Sequence, residues 1–305
     1  MKRRHFLASL AAGTTTLGEA KPAPAERSPL RFGLVTDTQY ADAEPNGERH
    51  YRASPEKLRR AVESIRAAKP GFTLHLGDLI DRDFRSFDVV LPILNELGHP
   101  VHHLAGNHDF QVDDADKPRV IGKLGMPHDY YCFRSSGIRF VMLDTNSLSI
   151  YKHPADSPQT AASKQRLSEL EKLGHPGAKA WNGGIDDAQL AWLDRALADA
   201  TAAGERAIIC THHPILHPGP HQIWNPEALL AVLDRHHCVI ACFSGHDHTG
   251  HFTERRGIPF ITFRSLLHEP EISAFALIDI HPDRIVITGH GREASRVLPL
   301  PPSAP

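Results

Sequence analysis

An α/β fold is predicted for this chain by three features of its sequence. Short apolar runs alternate with stretches of helical periodicity, the pattern of parallel strands linked by crossover helices. Five of those runs end on Asp, Asn or His side chains, and open α/β sheets bind ligands outside the carboxyl ends of their strands. Finally, no apolar run approaches the roughly 18 residues of a membrane span, so no stable membrane anchor is expected.

Composition agrees with that class. The chain has 305 residues, 41% hydrophobic and 23% charged, enough to bury a large core in one α/β domain. The formal net charge of −2 argues against nucleic acid as a partner, because phosphate affinity rests mostly on Lys and Arg. The 24 Pro and 22 Gly follow no short period, and the unusual count is His, at 22.

In chain order, Met1 to Leu7 carries adjacent Arg3 and Arg4, followed by a mildly apolar stretch through Gly18 and small residues at Gly18 and Ala20. That order of charge, apolar stretch and small-residue site predicts a bacterial twin-arginine export signal over residues 1–20, and hence a periplasmic or secreted protein. Residues 21–29 read as a linker, 30–298 as the folded domain and 299–305 as a loose Pro-rich tail. Leu30 to Thr36 predicts a strand. Ser54 to Ala68 predicts a helix, with Ser54 as cap, Pro55 in the first turn, and Leu58, Val62 and Ile65 on one face. Strands are expected at Phe72 to Leu76 and Val101 to Leu104, with a helix at Phe87 to Leu97 between them. Tyr130 to Phe133 and Ile138 to Leu143 flank Ser135-Ser136-Gly137 and predict a hairpin. Helices at Asp186 to Ala203 and Pro226 to Arg235 bracket a strand at Ala207 to Cys210. Strands at Cys238 to Phe243, Pro259 to Phe263, Phe275 to Ile280 and Arg284 to Thr288 complete the chain. His153 to Gly184 is polar, with one short helix expected near Ser163 to Leu173; a long insertion of this kind is usually a functional lid or a disordered loop. The four cysteines lie in strand-like runs and read as buried free thiols. Cys238 and Cys242 are separated by roughly 13 Å of strand rise, beyond the reach of a disulfide.

The strand ends carry the chemistry. They hold Asp37 with Gln39, Asp78 with Asp81, Asn107 with His108 and Asp109, His212 with His213, and His246 with His248. Parallel strands bring these ends to one edge. Carboxylates, amides and imidazoles without thiolates suit Mn²⁺, Fe or Zn²⁺. Two such ions about 3.5–4 Å apart can clamp a phosphate and acidify a water. Each short motif alone has a bland reading, since Gly-Asp is commonly a turn and His-x-His is often structural. Five in order at strand ends point to a dinuclear site.

Asp37-x-Gln39, Gly77-Asp78-Leu79-Ile80-Asp81, Gly106-Asn107-His108-Asp109, His212-His213-Pro214 and Gly245-His246-Asp247-His248 resemble the calcineurin-like metallophosphoesterase superfamily. That resemblance implies a four-layer α/β/β/α sandwich with two mixed sheets. It implies that Asp37, Gln39 and His248 hold one metal, that Asp78 bridges, and that Asn107, His212 and His246 hold the second. His108 would contact the phosphate or protonate the leaving oxygen, with Asp109 orienting it, and Asp81 would support the metal shell by hydrogen bonding. Gln39 stands where His is usual, which suggests Mn²⁺ over Zn²⁺ at the first site. Asp37 to Asp42, His50-Tyr51-Arg52, Asn182-Gly183-Gly184 with Gln189-Leu190-x-Trp192-Leu193, and Trp224-Asn225 are similar to the manganese-dependent ADP-ribose/CDP-alcohol diphosphatases. That likeness implies hydrolysis of the pyrophosphate of a nucleotide diphosphate derivative. A phosphomonoesterase or cyclic-nucleotide phosphodiesterase on the same site is the alternative, and a non-catalytic metal-binding module is a third.

Arg52 reads either as a contact to a distal phosphate or as a solvated Arg at the start of a helix. His217 and His221 face the same edge, as pocket or as surface. Trp224 and Asn225 border a base pocket or pack the following helix. His102 and His103 alternate along a strand and read as structural.

Overall fold

The computed structural model describes residues 29–300. The expected export signal, and most of the expected linker and tail, lie outside the described residues. In chain order the elements are β1 (Leu30–Val35), α1 (Ser54–Ala67), β2 (Thr73–His75), α2 (Phe87–Asn95), β3 (Val101–His103), α3 (Val120–Lys123), β4 (Tyr131–Ser135), β5 (Ile138–Met142), α4 (Pro158–Lys172), α5 (Asp187–Ala202), β6 (Arg206–Cys210), α6 (Pro226–Leu233), β7 (Val239–Ser244), β8 (His251–Arg255), β9 (Ile258–Thr262), β10 (Ala274–Ile280), β11 (Arg284–Gly291) and β12 (Arg296–Pro299).

They form two six-stranded sheets, ordered β12-β11-β10-β1-β2-β3 and β4-β5-β6-β7-β9-β8. β1, β2 and β3 run parallel, as do β5, β6, β7 and β9. The flanking strands are antiparallel, so both sheets are mixed. Side-chain alternation sorts the layers. Phe32 on β1 meets Phe140 of the other sheet edge-on at 5.4 Å between ring centroids. Its neighbour Gly33 faces the opposite way, where an added Cβ would lie 2.7 Å from Ile65 of α1. On the second sheet, Phe140, Ile208 and Phe243 join the inter-sheet core, while Val141 and Ile209 pack with Leu193 and Leu197 of α5 and Leu229 of α6. The result is the α/β/β/α sandwich.

Several expectations are corrected. α1 begins at Ser54, and its cap position is Ala53, already in the right-handed helical region. The chain enters through a 3₁₀ turn at Tyr51–Ala53, so Ser54 is the first helical residue rather than the cap. The polar insertion contains α4, which starts at Pro158, not Ser163; Ser157 caps it by accepting from the Thr160 amide at 3.1 Å. Leu167 and Leu170 of α4 pack with Ala178 and Trp224, so the segment is a built part of the fold. β8 and β12 are strands the sequence did not announce. At the tail, Pro299 closes β12, Leu300 is buried, and its amide donates to the Asp283 carbonyl at 2.7 Å.

One buried charge ties the helix layer to the site. Lys57 on α1 donates to the carbonyls of Leu267, His268 and Glu269 at 2.8, 3.1 and 2.7 Å. Burial lowers its pKa to about 7, and three acceptors match the three N–H groups of its ammonium. Replacing Lys57 with Met leaves those carbonyls without their donor, which costs about 1–3 kcal/mol for each one kept from water. Lys57→Met is expected to lower the denaturant midpoint with little change in slope.

Candidate metal centre and active site

The site forms where the carboxyl ends of both sheets meet. Loops leaving β1, β2 and β3 bring Asp37 and Gln39, Asp78, and Asn107 from one sheet. Loops leaving β6 and β7 bring His212, and His246 with His248, from the other. Main-chain bonds join these ends. The Asp37 amide donates to the Gly77 carbonyl at 3.0 Å, and Gln39 to Asp78 at 2.9 Å. The Gly245 amide donates to the His212 carbonyl at 3.0 Å.

The local backbone is forced. Asp37 (φ 52°), Gln39 (42°), Asp78 (56°) and His246 (70°) all lie in the left-handed region. Each such non-glycine residue costs roughly 1–2 kcal/mol. Two glycines let the loops close. A Cβ on Gly106 would sit 2.1 Å from Asp78 Oδ1, and one on Gly245 would sit 2.2 Å from Thr36 Oγ1 and 2.5 Å from Asp37 Oδ2.

All seven expected metal-binding residues converge. Asp37, Asp78 and His212 have ligand atoms within 4.8 Å of one another. His212 Nε2 lies 3.3 Å from Asp78 Oδ2 and 3.1 Å from Asn107 Oδ1. His246 Nδ1 lies 3.0 Å from Asn107 Oδ1. His248 Nε2 lies 3.6 Å from Asp37 Oδ1 and 2.9 Å from Gln39 Nε2, which also donates to Asp78 Oδ2 at 2.9 Å. Thr36 donates to Asp37 Oδ2 at 2.6 Å.

The electrostatics call for cations. Asp37 and Asp78 are 0% exposed, and among the described residues neither has a Lys or Arg partner. Burial raises Asp37 to about 6. Burial would raise Asp78 too, but His212 and His108 hold it well below the usual carboxylate range. Burial lowers His212, yet Asp78 and Asp37 overcome that and lift it to about 9, so the pocket draws positive charge to this position. Burial keeps His246 and His248 neutral, as ligands must be. Gln39 Oε1 is buried with no hydrogen-bond partner. Oxygen and imidazole nitrogen donors around two buried carboxylates fit divalent metal ions.

The role expected for Asp109 is corrected. Its Oδ2 accepts from the amides of Asp78 and Gly106, both at 2.9 Å, and its Oδ1 from Leu79 at 2.9 Å and Ile80 at 3.1 Å. All its capacity goes into shaping the Asp78 loop. Asp81 takes the other role, with Oδ1 3.1 Å from His108 Nδ1. Burial would lower the His108 pKa, but Asp78 and Asp81 raise it above its ordinary value.

The expected substrate contacts also change. Arg52 is paired with Asp42 and Glu44, and its side chain is 51% exposed. His217 is committed to Asp247, with Nε2 2.9 Å from Oδ2. His221 lies closer in, its ring centroid 5.5 Å from that of His246. Trp224 is buried and donates to the Lys179 carbonyl at 3.2 Å, while Asn225 brackets Ile185; both are packing groups. His102 stacks on Phe133 and His103 faces His75, which makes them structural. Sequence reading missed Arg49. It has no ion-pair partner among the described residues, and its charge presses down the pKa values of His108, His221, His248 and His268. It also missed His268, whose Nε2 lies 2.8 Å from His248 Nδ1, and it gave no role to His213, whose Nδ1 lies 2.7 Å from Thr145 Oγ1.

A two-sheet sandwich with this cluster on its edge defines a metal-dependent phosphoesterase. Residues 30–250 match the family described as calcineurin-like phosphoesterase, and the chain belongs to that family. Within it, the chain groups with proteins named manganese-dependent ADP-ribose/CDP-alcohol diphosphatase. It is 32% identical to one from Oryza sativa subsp. japonica, covering 88% of this chain and 94% of that protein. It is 33% identical to one from Danio rerio, covering 86% and 95%. A crystal structure of a dimetal phosphatase from Danio rerio superposes with a TM-score of 0.80 at 29% identity, covering 90% of this chain and 100% of that one.

Gly245→Ala tests the loop geometry. The new methyl group collides with Thr36 and Asp37, so divalent-metal affinity is expected to fall about 10–100-fold, as when supporting groups around a metal site are removed. Titration of metal-free protein with Mn²⁺ measures it; unchanged affinity refutes the packing argument.

Proposed function

We propose that the protein is a dinuclear metal phosphohydrolase that cleaves the pyrophosphate of nucleotide diphosphate derivatives of the ADP-ribose or CDP-alcohol type. One observation carries the reading: two carboxylates at zero exposure, neither paired with a Lys or Arg among the described residues, converge with five amide and imidazole donors. In this reading Asp37, Gln39 and His248 hold one ion, Asn107, His212 and His246 the other, and Asp78 lies between. The names of the relatives support both manganese and the substrate class. So does Gln39, since a neutral amide oxygen is a harder ligand than imidazole and suits Mn²⁺ better than Zn²⁺.

Bound there, two divalent ions supply Lewis acidity to a phosphate and lower the pKa of a water. The chain's own residues do the rest. His108, whose pKa Asp78 and Asp81 raise against the effect of burial, is placed to give a proton to the departing oxygen. Arg49, which has no carboxylate partner among the described residues, is available to neutralise the phosphate that is not attacked. Asp109 fixes the amides of residues 78–80 so that Asp78 keeps its aim.

The deciding experiment is product analysis of the manganese-loaded protein. ADP-ribose should yield AMP and ribose 5-phosphate; turnover of phosphomonoesters or cyclic nucleotides alone would sink the diphosphatase reading. His108→Ala is expected to lower kcat by about 10²–10⁴-fold with metal content unchanged. Arg49→Ala should chiefly raise KM, and an unaltered KM removes Arg49 from the site.

We also propose that residues 1–20 direct twin-arginine export to the periplasm, a reading that rests on Arg3, Arg4 and the stretch after them. Fractionation of cells making the R3K/R4K variant tests it, with cytoplasmic retention expected.

A further inference from the structure

The polar insertion reaches the metal centre through Asn182, and the hydrogen bonds around that residue fix the orientation of its amide. Asn182 is 0% exposed. Its Nδ2 donates to the carbonyls of Gly177 at 2.9 Å and Pro220 at 2.6 Å. A carbonyl only accepts, so the amide nitrogen must face these two groups, and Oδ1 must face the other way. There it meets His246 Nε2 at 2.8 Å. Because Oδ1 is an acceptor, His246 carries its proton on Nε2. The lone pair of the neutral ring is therefore on Nδ1, the atom that lies 3.0 Å from Asn107 Oδ1. Two backbone carbonyls, one from the insertion and one from the loop after β6, thus set which nitrogen of His246 is free to bind a cation.

We infer that Asn182 is a positioning residue for the second metal ion: it selects the Nδ1-binding tautomer of His246 and holds the ring on its target. This rests on the dinuclear reading of the site. His212 has the same kind of support, with Nδ1 2.8 Å from the Leu76 carbonyl and Nε2 turned to the cavity. The difference is the source. Leu76 directly follows β2, while Asn182 is carried by the insertion, next to Trp181, whose carbonyl lies 3.2 Å from His213 Nε2. The insertion is therefore a wall of the metal centre, and Gly183 permits its approach: a Cβ there would lie 2.3 Å from the Thr145 carbonyl.

The test is Mn²⁺ titration of metal-free full-length protein, wild type beside Asn182→Ala, Asn182→Asp, His246→Ala and the Asn182→Ala/His246→Ala double variant. Wild type should bind two ions; failure to do so overturns the dinuclear reading itself. If that reading holds, Asn182→Ala should weaken one ion by about 10–100-fold and leave the other unchanged. Asn182→Asp keeps the acceptor but sets its second carboxylate oxygen against the Gly177 and Pro220 carbonyls, so it too should weaken that ion and spare the other. The double variant should be no weaker than His246→Ala, because Asn182 acts through that ring. Thermal unfolding in chelator separates these effects from a loss of fold. Wild-type affinity for both ions in Asn182→Ala, or additive losses in the double variant, overturns the inference. Should Asn182→Ala not fold, equal weakening of both ions in Asn182→Asp does so.

Discussion

Two buried carboxylates govern this molecule. Asp37 and Asp78 sit side by side at zero exposure, on the edge where both sheets end. Removing a charge from water costs several kcal/mol even after relaxation, and two like charges compound it. The protein does not answer with Lys or Arg at this point. It surrounds the pair with imidazoles and amides, and two carboxylates lift His212 to about 9. Positive charge brought from outside would relieve that cost further, so metal binding would add to the stability of the fold.

The backbone shows what that arrangement costs. Four residues of the cluster adopt left-handed φ values, on loops that leave β1, β2 and β7. The strain is offset by main-chain bonds that run between loops rather than within them, such as Asp37 to Gly77 and Gly245 to His212. Asp109 adds four more bonds from a single carboxylate. This explains why small residues crowd the site: at Gly106 and Gly245 the neighbouring loop passes where a side chain would begin.

Much of this was legible in the sequence, because a strand that stops at Asp, Asn or His announces its own end. The parallel strands and the convergence of five strand ends could be read from that pattern, and the family resemblance singled out seven side chains among them. What was not legible depends on approach between distant segments. The family resemblance implied Asp109 as the partner of His108, yet in the 3₁₀ turn at His108–Phe110 the two side chains diverge, and Asp81 arrives from the β2 loop instead. Arg49 and Arg52 are three residues apart, and nothing local separates a guanidinium whose charge acts on the site histidines from one paired with Asp42 and Glu44. β8 and β12 alternate between half-buried and exposed positions at the sheet edges, so they carry no apolar run to announce them. The insertion reads as loop because α4 buries only a narrow face.

The supports behind the metal cluster divide in two. Asp37, Gln39 and His248 are backed by His268, whose loop hangs from Lys57 on α1. Asn107, His212 and His246 are backed by the Leu76 carbonyl and by Asn182. Asp78 connects the halves, bonded to Gln39 on one side and near His212 on the other. The fold therefore gives each half its own anchor, one in the helical layer and one in the insertion, with a single carboxylate in common. Loosening one anchor should leave the other half's geometry standing, whereas any movement of Asp78 reaches both. This is why the Asp109 carboxylate is spent on the Asp78 loop: Asp78 joins the halves at a position where neither outer support can correct an error.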